Sequence, residues 1–574
     1  MRTAIASNFE CEHQAGLPRG VRLATSIKSV LLVKMDRQTF IWGRSGNRIR
    51  RTQQWVEVLW SLGLLLAALL LFGINLGKEP LLDWGEGTVA LVAREIGRAP
   101  AQSWQWLYPT LGGKPYFEEP PLLHSLIVGA YQLGGVNEWT TRLPSAILSA
   151  FSVPLLYKIG REIFPSRQTA IFSSLIYLTL SPVVCHGRLA LVDGAALCFV
   201  MVMMWCVLRS RRDFRYCVGV GMGLGLICLT KGILLGLLLA AIALLFLGWD
   251  TPRLLTSIYW WLGLLLGSAP AAAWYTAGWL QYGQAFITSC ITRQFLQYLW
   301  QPVDAHRGHP WHYVVEILKF SAPWLLFWPY GLRLAWENRN WGWAKLVLVW
   351  VGVYLLAILM TITQLPWYVL PIYPGLALAG GVQLTEVWNW PSCKSYPRLW
   401  RISLIVLAVG AIVLSIYFGI QKDIDQSLPL IFASVALTMA MAAVLITRRD
   451  LQFILILFWG MYISLLLLMT SPYWIGDLAE AYPVKPIAAI LKLGTPEGQR
   501  IYASLPSKRP SLNFYSDRTV IPATQSELKQ RWQYEQHPYL LLDTQTFKKL
   551  SLKPSRKVGT APGWLLIIKH KDTN

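Results

Sequence analysis

The sequence predicts an all-α polytopic membrane protein of about 13 transmembrane helices, with a small α/β domain at its C-terminus. Three observations carry this. The 574 residues are 54% hydrophobic and only 14% charged, with a mean hydropathy of +0.41, where soluble domains carry roughly 25% charge. Apolar runs recur from residue 55 to residue 470, each of the ~18 residues or more that cross ~30 Å of hydrocarbon. Beyond residue 470 the pattern changes to short strand-like runs. Alternating ten-residue strands of the kind that build a membrane barrel are absent.

Taken in order, residues 1–54 form a basic segment on the cytoplasmic side, too long for the leading part of a signal peptide. Met35 is an alternative start to Met1. Spans are expected near 55–76, 141–163, 168–185, 190–208, 216–230, 231–249, 254–277, 311–333, 342–363, 366–386, 400–420, 427–447 and 451–470. The stretch 121–134 (PLLHSLIVGAYQLG) is too short to span and reads as a re-entrant or interfacial helix. With 121–134 not crossing and the N-terminus inside, the clusters Lys158/Arg161/Arg167, Arg209–Arg215, Arg253, Arg333/Arg339, Lys394/Arg398/Arg401 and Arg448/Arg449 all face the cytoplasm. If it crossed, all of them would face outward, against the positive-inside bias. The same parity puts the loops 77–140 and 278–310, the turn carrying Asp193 and the C-terminus on the outer face. In the tail, 471–574, the runs GQRIYASL, LNFYSDRTVI, HPYLLLDT and GWLLIIKH read as strands and SELKQRW as a helix.

Composition also excludes classes. The net charge of +22 lies in clusters between spans, where it sets topology, so no nucleic-acid partner is indicated. Eight scattered cysteines without a C-x-x-C pair give neither a disulfide framework nor a thiolate zinc site. The tail has no phosphate-binding G-x-x-x-x-G-K loop. Internal repeats and matched broken helices, common in secondary transporters, are absent.

The chemistry is expected in the outer loops. Asp83, Glu86 and Arg94 lie in DWGEGTVALVAREIGR; Lys114, Glu118, Glu119 and His124 in GGKPYFEEPPLLHSL; Arg188 and Asp193 in HGRLALVDG; His306, Arg307, His309 and His312 in HRGHPWHY. Lys231 and Tyr368 begin spans at the same face. Carboxylates can take the proton of an attacking hydroxyl or amine, and Arg and Lys can neutralise a departing phosphate. For Asp83 and Glu86, helix capping is an equal alternative. Arg188 and Asp193 could form a structural pair, and Lys231 could snorkel to the interface.

In sequence order these motifs are an acidic helix start with AREI, KPYFE-PPLLH, GVNEWTTRLPSA, GRLALVDG, LTKG, HRG-PWHY and LPWYVLPIYP. Together they resemble the GT-C membrane glycosyltransferases of the protein O-mannosyltransferase and aminoarabinose (lipid A) transferase type, glycosyltransferase family 39. The resemblance covers roughly residues 50–470 and extends to an outer C-terminal domain. It implies an inverting transfer of a sugar from a polyprenyl-phosphate donor to an envelope acceptor (a lipid A-like lipid, a protein or a glycan) at the outer face of the cytoplasmic membrane. The implied roles are Asp83 or Glu86 as base with Asp193 assisting, and Arg188, Lys231, Arg307, Tyr368 and Lys114 on the donor phosphate. Glu118 and His306 could bracket a divalent metal, and no cofactor is required. Two positions depart from the family pattern. Gly85 stands where the family usually has the Asp taken as base, and Glu119 where it usually has a Lys on the phosphate. They give substance to a second reading, a catalytically silent member that binds lipid-linked sugar. A transporter of the same lipids is a third.

Overall fold

The computed structural model describes residues 45–100, 103–290, 311–361, 365–391, 394–421, 425–478, 482–552 and 555–569. The membrane part is helical: α1 (Ser45–Gly73), α2 (Thr88–Arg98), α3 (Leu122–Gly134), α4 (Glu138–Ile163), α5 (Arg167–Leu178), α6 (Ser181–Arg188), α7 (Val192–Ser210), α8 (Tyr216–Lys231), α9 (Ile233–Asp250), α10 (Ile258–Tyr282), α11 (His312–Phe320), α12 (Trp328–Glu337), α13 (Gly342–Leu359), α14 (Tyr373–Trp388), α15 (Arg398–Ile420), α16 (Ser427–Thr447) and α17 (Gln452–Thr470). Among the described residues, eight helices are individually long and apolar enough to cross a membrane, or nine if the bent pair α5–α6 is one span.

Three of the other expected spans differ for local reasons. The stretch 168–185 is broken by a bend of 59° between α5 and α6, where Pro182 opens the new helix. The stretch 311–333 splits into α11 and α12 around Pro323. The stretch 366–386 starts as a 3₁₀ segment, Pro366–Ile372, where Pro371 and Pro374 each remove an amide donor. The helix expected at 121–134 is α3, with 13 residues. A capping box at Asn137 and Thr140 then starts α4.

Small residues let the helices approach. A Cβ on Gly221 of α8 would run into the Leu264 carbonyl of α10, and one on Gly267 into the Val218 carbonyl. This is the small-residue packing that membrane interiors use in place of a hydrophobic driving force. One end of the bundle is tied by ion pairs. Glu57 binds Arg161 at 3.2 Å and Arg167 at 2.9 Å. Glu162 binds Arg209 at 2.9 Å, and Asp250 binds Arg211 at 2.8 Å. Several basic residues read as topology signals thus also staple helices together.

In the C-terminal domain, α18 (Val484–Gly494) leads into β3 (Arg500–Ala503), α19 (Pro510–Ser516), β4 (Thr519–Pro522), α20 (Gln525–Tyr534), β5 (Tyr539–Asp543), α21 (Thr544–Leu550), β6 (Ser555–Ala561) and β7 (Trp564–Lys569). The sheet order is β4-β3-β5-β7-β6, with β3 parallel to β4 and β5, and β7 antiparallel to β5 and β6. Ile487, Leu491 and Leu512 fill one face of the sheet, and Leu528, Trp532 and Leu550 the other. A two-residue hairpin between α2 and α3, β1 (Thr110–Leu111) with β2 (Lys114–Pro115), turns through Gly112 and Gly113, both at positive φ.

Candidate active site

After α1 the chain forms a tight π-helical turn, Asp83–Gly87, before α2. Glu86 is fully buried there and its carboxylate is saturated. It accepts Arg142 Nε at 2.8 Å, Arg142 Nη2 at 2.7 Å, the Leu82 amide at 3.0 Å and the Ala190 amide at 2.8 Å. Arg142 spends its other donors on the carbonyls of Leu76, Glu79 and Pro80. Asp83 is buried as well. It accepts Arg509 Nη1 at 2.7 Å and both the amide and hydroxyl of Ser511, at 3.0 and 2.7 Å.

Arg188 donates to the carbonyls of Leu71 and Ile74 at the end of α1, at 2.9 and 2.6 Å. These are carbonyls that a helix C-terminus leaves unpaired. The Trp474 ring lies 4.6 Å from the Arg188 guanidinium and 5.3 Å from that of Arg142. The expectation of proton transfer by Asp83 or Glu86, and of phosphate binding by Arg188, therefore meets side chains engaged in architecture. Glu86 holds the start of α7 to α4, Asp83 holds the C-terminal domain, and Arg188 caps α1. Helix capping, the alternative reading of these acids, is not their role either, since no side chain caps the start of this turn; the partners Arg142, Trp474 and Arg509 are too distant in sequence to be read.

Gly85 has φ +112°, and a Cβ there would sit 2.7 Å from the Leu191 side chain. The chain thus carries no functional group at this position, and Leu191 lies against it.

A second cluster forms where α6, α7, α8 and the 3₁₀ segment converge. Asp193 opens α7 and Lys231 closes α8, and they pair at 2.8 Å while both keep some exposure. The Tyr368 ring lies 6.0 Å from Lys231 Nζ, and Tyr354 fixes the Tyr368 carbonyl at 2.9 Å. Glu119 lies within electrostatic reach of Lys231, Asp193 and Glu118. Its carboxyl is pushed up to about 7, chiefly by enclosure, while Lys231 pulls it down and the neighbouring anions add to the rise. Its Oε2 faces His124 Nε2 at 3.9 Å, and among the described residues neither atom has a hydrogen-bond partner. His124 is buried, with Nδ1 3.3 Å from the Pro120 carbonyl. The loop carrying these acids is seated on α10 and the turn of helix after it by Phe117 against Tyr282 and Phe286 and by Trp274 Nε1 donating to the Leu107 carbonyl at 2.8 Å.

Of the expected site residues, the structure thus brings together Asp193, Lys231 and Tyr368. Lys114 is exposed on the hairpin, and among the described residues no hydrogen bond joins it to the cluster. His306 and Arg307 lie outside the described residues, so the expected Glu118–His306 metal pair does too; among the described residues no group of three or more His, Cys, Asp and Glu side chains could hold a metal ion. Sequence reasoning missed His186 and Tyr354. His186 stood inside the HGRLALVDG motif but was not singled out.

The chain superposes over 89% of its length on the crystal structure of ArnT from Cupriavidus metallidurans bound to undecaprenyl phosphate, with a TM-score of 0.73 at 17% identity, covering 98% of that chain. This chain has the GT-C fold. The resemblance read in the sequence is borne out, and with it the all-α multi-pass class with a small C-terminal sheet domain. Within that GT-C fold, residues 118–275 match the family described as dolichyl-phosphate-mannose-protein mannosyltransferase. The undecaprenyl phosphate-alpha-4-amino-4-deoxy-L-arabinose arabinosyl transferase 1 of Pseudomonas fluorescens is 27% identical over 376 residues, which cover 64% of this chain and 67% of that protein. The corresponding transferase of Pseudomonas aeruginosa is 25% identical, over 58% of this chain and 62% of its own length. The chain thus spans roughly two thirds or less of these relatives.

Proposed function

We propose that this chain is an inverting glycosyltransferase that moves a sugar from a polyprenyl-phosphate donor to an envelope acceptor, a lipid A-like lipid, a protein or a glycan. The observation that carries this is the Asp193–Lys231 pair, contacting at 2.8 Å with Tyr368 beside it, on a fold shared with a transferase crystallised with undecaprenyl phosphate.

The geometry supports an exchange of ionic partners. In the resting site Lys231 neutralises Asp193. A donor phosphate competes for the Lys231 ammonium, so that positive charge meets the leaving group while Asp193 is released. Asp193 then takes the proton from the acceptor hydroxyl or amine. The acceptor oxygen or nitrogen bonds to the anomeric carbon as the sugar–phosphate C–O bond breaks, and polyprenyl phosphate departs with the electron pair. The base assignment thus moves from Asp83 and Glu86 to Asp193. No metal enters this scheme.

The membrane is the cytoplasmic membrane of a bacterium. We place the N-terminus inside and the C-terminal domain outside, because the clusters around Arg161, Arg209 and Arg448 then face the cytoplasm. The test is full-length protein in liposomes with a panel of lipid-linked sugars and envelope acceptors. Transfer should fall by a factor of about 10²–10⁴ in D193N and in Lys231→Met. Wild-type protein that binds polyprenyl phosphate but transfers nothing would favour the second reading, a silent lipid-sugar binder, for which the missing side chain at Gly85 is the structural support.

A further inference from the structure

His186 sits in α6, two residues before Arg188 fixes the end of that helix onto α1. Its ring meets the Trp367 ring edge-on, with centroids 6.3 Å apart. The next residue, Tyr368, lies against Lys231, and the charges of both Asp193 and Lys231 act on the imidazole. A packing role explains the ring's contact with Trp367. It does not explain the nitrogens.

His186 Nδ1 is enclosed and, among the described residues, meets neither a donor nor an acceptor. Nε2 is not enclosed in this way, and among the described residues no hydrogen bond engages it. A neutral imidazole carries its proton on one nitrogen. An orphaned enclosed N–H is rarer in proteins than an under-satisfied acceptor, so the favourable tautomer leaves Nδ1 bare and puts the proton on Nε2. The ring then offers a donor within the electrostatic reach of Lys231, at a site whose described acids, Asp193 and Glu119, would repel an anion unless cations and donors outweigh them.

We propose that His186 is a ligand of the donor's phosphate, giving an Nε2–H hydrogen bond to a phosphoryl oxygen that Lys231 also contacts. This rests on the reading of the Asp193–Lys231 cluster as the donor site. It adds a neutral contact whose rigid direction is set by α6, where the flexible lysine supplies charge alone. With Lys231 shared between Asp193 and the phosphate, such a directed donor fixes which phosphoryl oxygen faces the cluster and hence where the anomeric carbon lies.

The test measures binding, without turnover, of full-length protein in detergent to polyprenyl phosphate, inorganic phosphate and unphosphorylated polyprenol. His186→Ala should weaken polyprenyl phosphate about 10-fold to 100-fold, the range of one hydrogen bond to a charged group. His186→Gln, whose amide can still donate, should stay within about threefold of wild type. Polyprenol binding should be the same in all variants. Inorganic phosphate weakened in parallel by His186→Ala would place the recognition in the phosphate itself; inorganic phosphate that fails to bind at all would show that the lipid must first seat the headgroup, and the proposal stands on the polyprenyl phosphate result in both cases. Unchanged polyprenyl phosphate affinity in a folded His186→Ala protein would overturn the proposal, as would equal loss in the Ala and Gln variants. Lys231→Met separates the two levels of the argument. If it weakens binding while His186→Ala does not, the donor site stands and the role of His186 falls; if neither changes binding, the donor site itself is misplaced.

Discussion

Glu86 and Arg142 form a two-point ion pair, at 2.7 and 2.8 Å, in which both side chains are fully buried. Every lone-pair direction of the carboxylate that the structure uses points at a protein donor, so its charge is already balanced. Removing one partner of such a pair strands the other, at a cost of about 3–5 kcal/mol. We expect Glu86→Gln and Glu86→Ala to lower the unfolding temperature of the detergent-solubilised protein sharply. The folded fraction should keep its turnover rate. A Glu86→Gln protein of wild-type stability that has lost transfer would return the base to Glu86.

Asp83 and Arg509 are 426 positions apart in sequence and 2.7 Å apart in space. With Ser511 they fasten α19 to the turn that precedes α2, and Tyr515 adds a bond from the Leu81 amide at 2.9 Å. Asp83→Asn should loosen the C-terminal domain, read as faster hydrogen exchange in α19 and quicker proteolysis after residue 470. Because Arg509→Ala removes the same contact, the double variant should be little worse than either single one, with a coupling of about 1–3 kcal/mol.

Gly85 holds φ +112°, a region in which a side chain is strained, and its would-be Cβ faces Leu191 at 2.7 Å. Gly85→Ala should therefore destabilise by more than the ~1 kcal/mol gained elsewhere from such changes. Installing a carboxylate as Gly85→Asp should fail to raise transfer unless Leu191 is also reduced to Ala. A single Gly85→Asp variant of normal stability and higher turnover would contradict the packing seen here.

How much of this was legible in the sequence follows from how far each signal reaches. Helices such as α15, α16 and α17 announce themselves by unbroken apolar length. The short α3 was legible for the same reason, being too short. The break between α5 and α6 was not, because Ser181-Pro182 lies inside an apolar run that length alone reads as one span. The loop's wealth of carboxylates was visible, but their employment was not. Asp83 and Glu86 differ from Asp193 in their burial and their partners, and those partners, Arg509 and Arg142, come from distant segments. Ionisable residues in membrane proteins point to function by default, and that prior is blind to a buried pair whose job is to hold two helices and a domain in place.

Asp517 gives the domain contact a pH dependence with a defined sign. Its carboxyl is held below the usual carboxylate range, first by hydrogen bonding from Arg98 and further by the charge of Arg94. A depressed folded-state value means the contact contributes fully above the unfolded value of about 3.9. The contribution is lost as pH falls through the lower folded value. Docking of α19, followed by hydrogen exchange, should be level from neutral pH to about pH 4 and weaken only below it. In Asp517→Asn this acid-sensitive component should vanish, leaving weaker docking at neutral pH. The effect should be modest, since Arg98 is mostly exposed and water screens the pair.

Glu119 places a carboxyl, pushed up to about 7 and so carrying part of a negative charge near neutral pH, within electrostatic reach of Lys231 and Asp193, at the site assigned here to a phosphate. Like charge at such separations costs on the order of 1 kcal/mol once solvent and protein relaxation are counted. Glu119→Gln should therefore tighten polyprenyl phosphate by roughly threefold to tenfold while keeping the loop's shape. Glu119→Lys should tighten it further, because a second cation would no longer leave Lys231 alone to offset Asp193. Its effect on transfer decides between the two functional readings. If Glu119→Lys binds the lipid more tightly and gains turnover, the chain is a transferase tuned to a weakly held donor. If it binds more tightly and still transfers nothing, the silent binder is the better account, and the acid at this position is one of its marks.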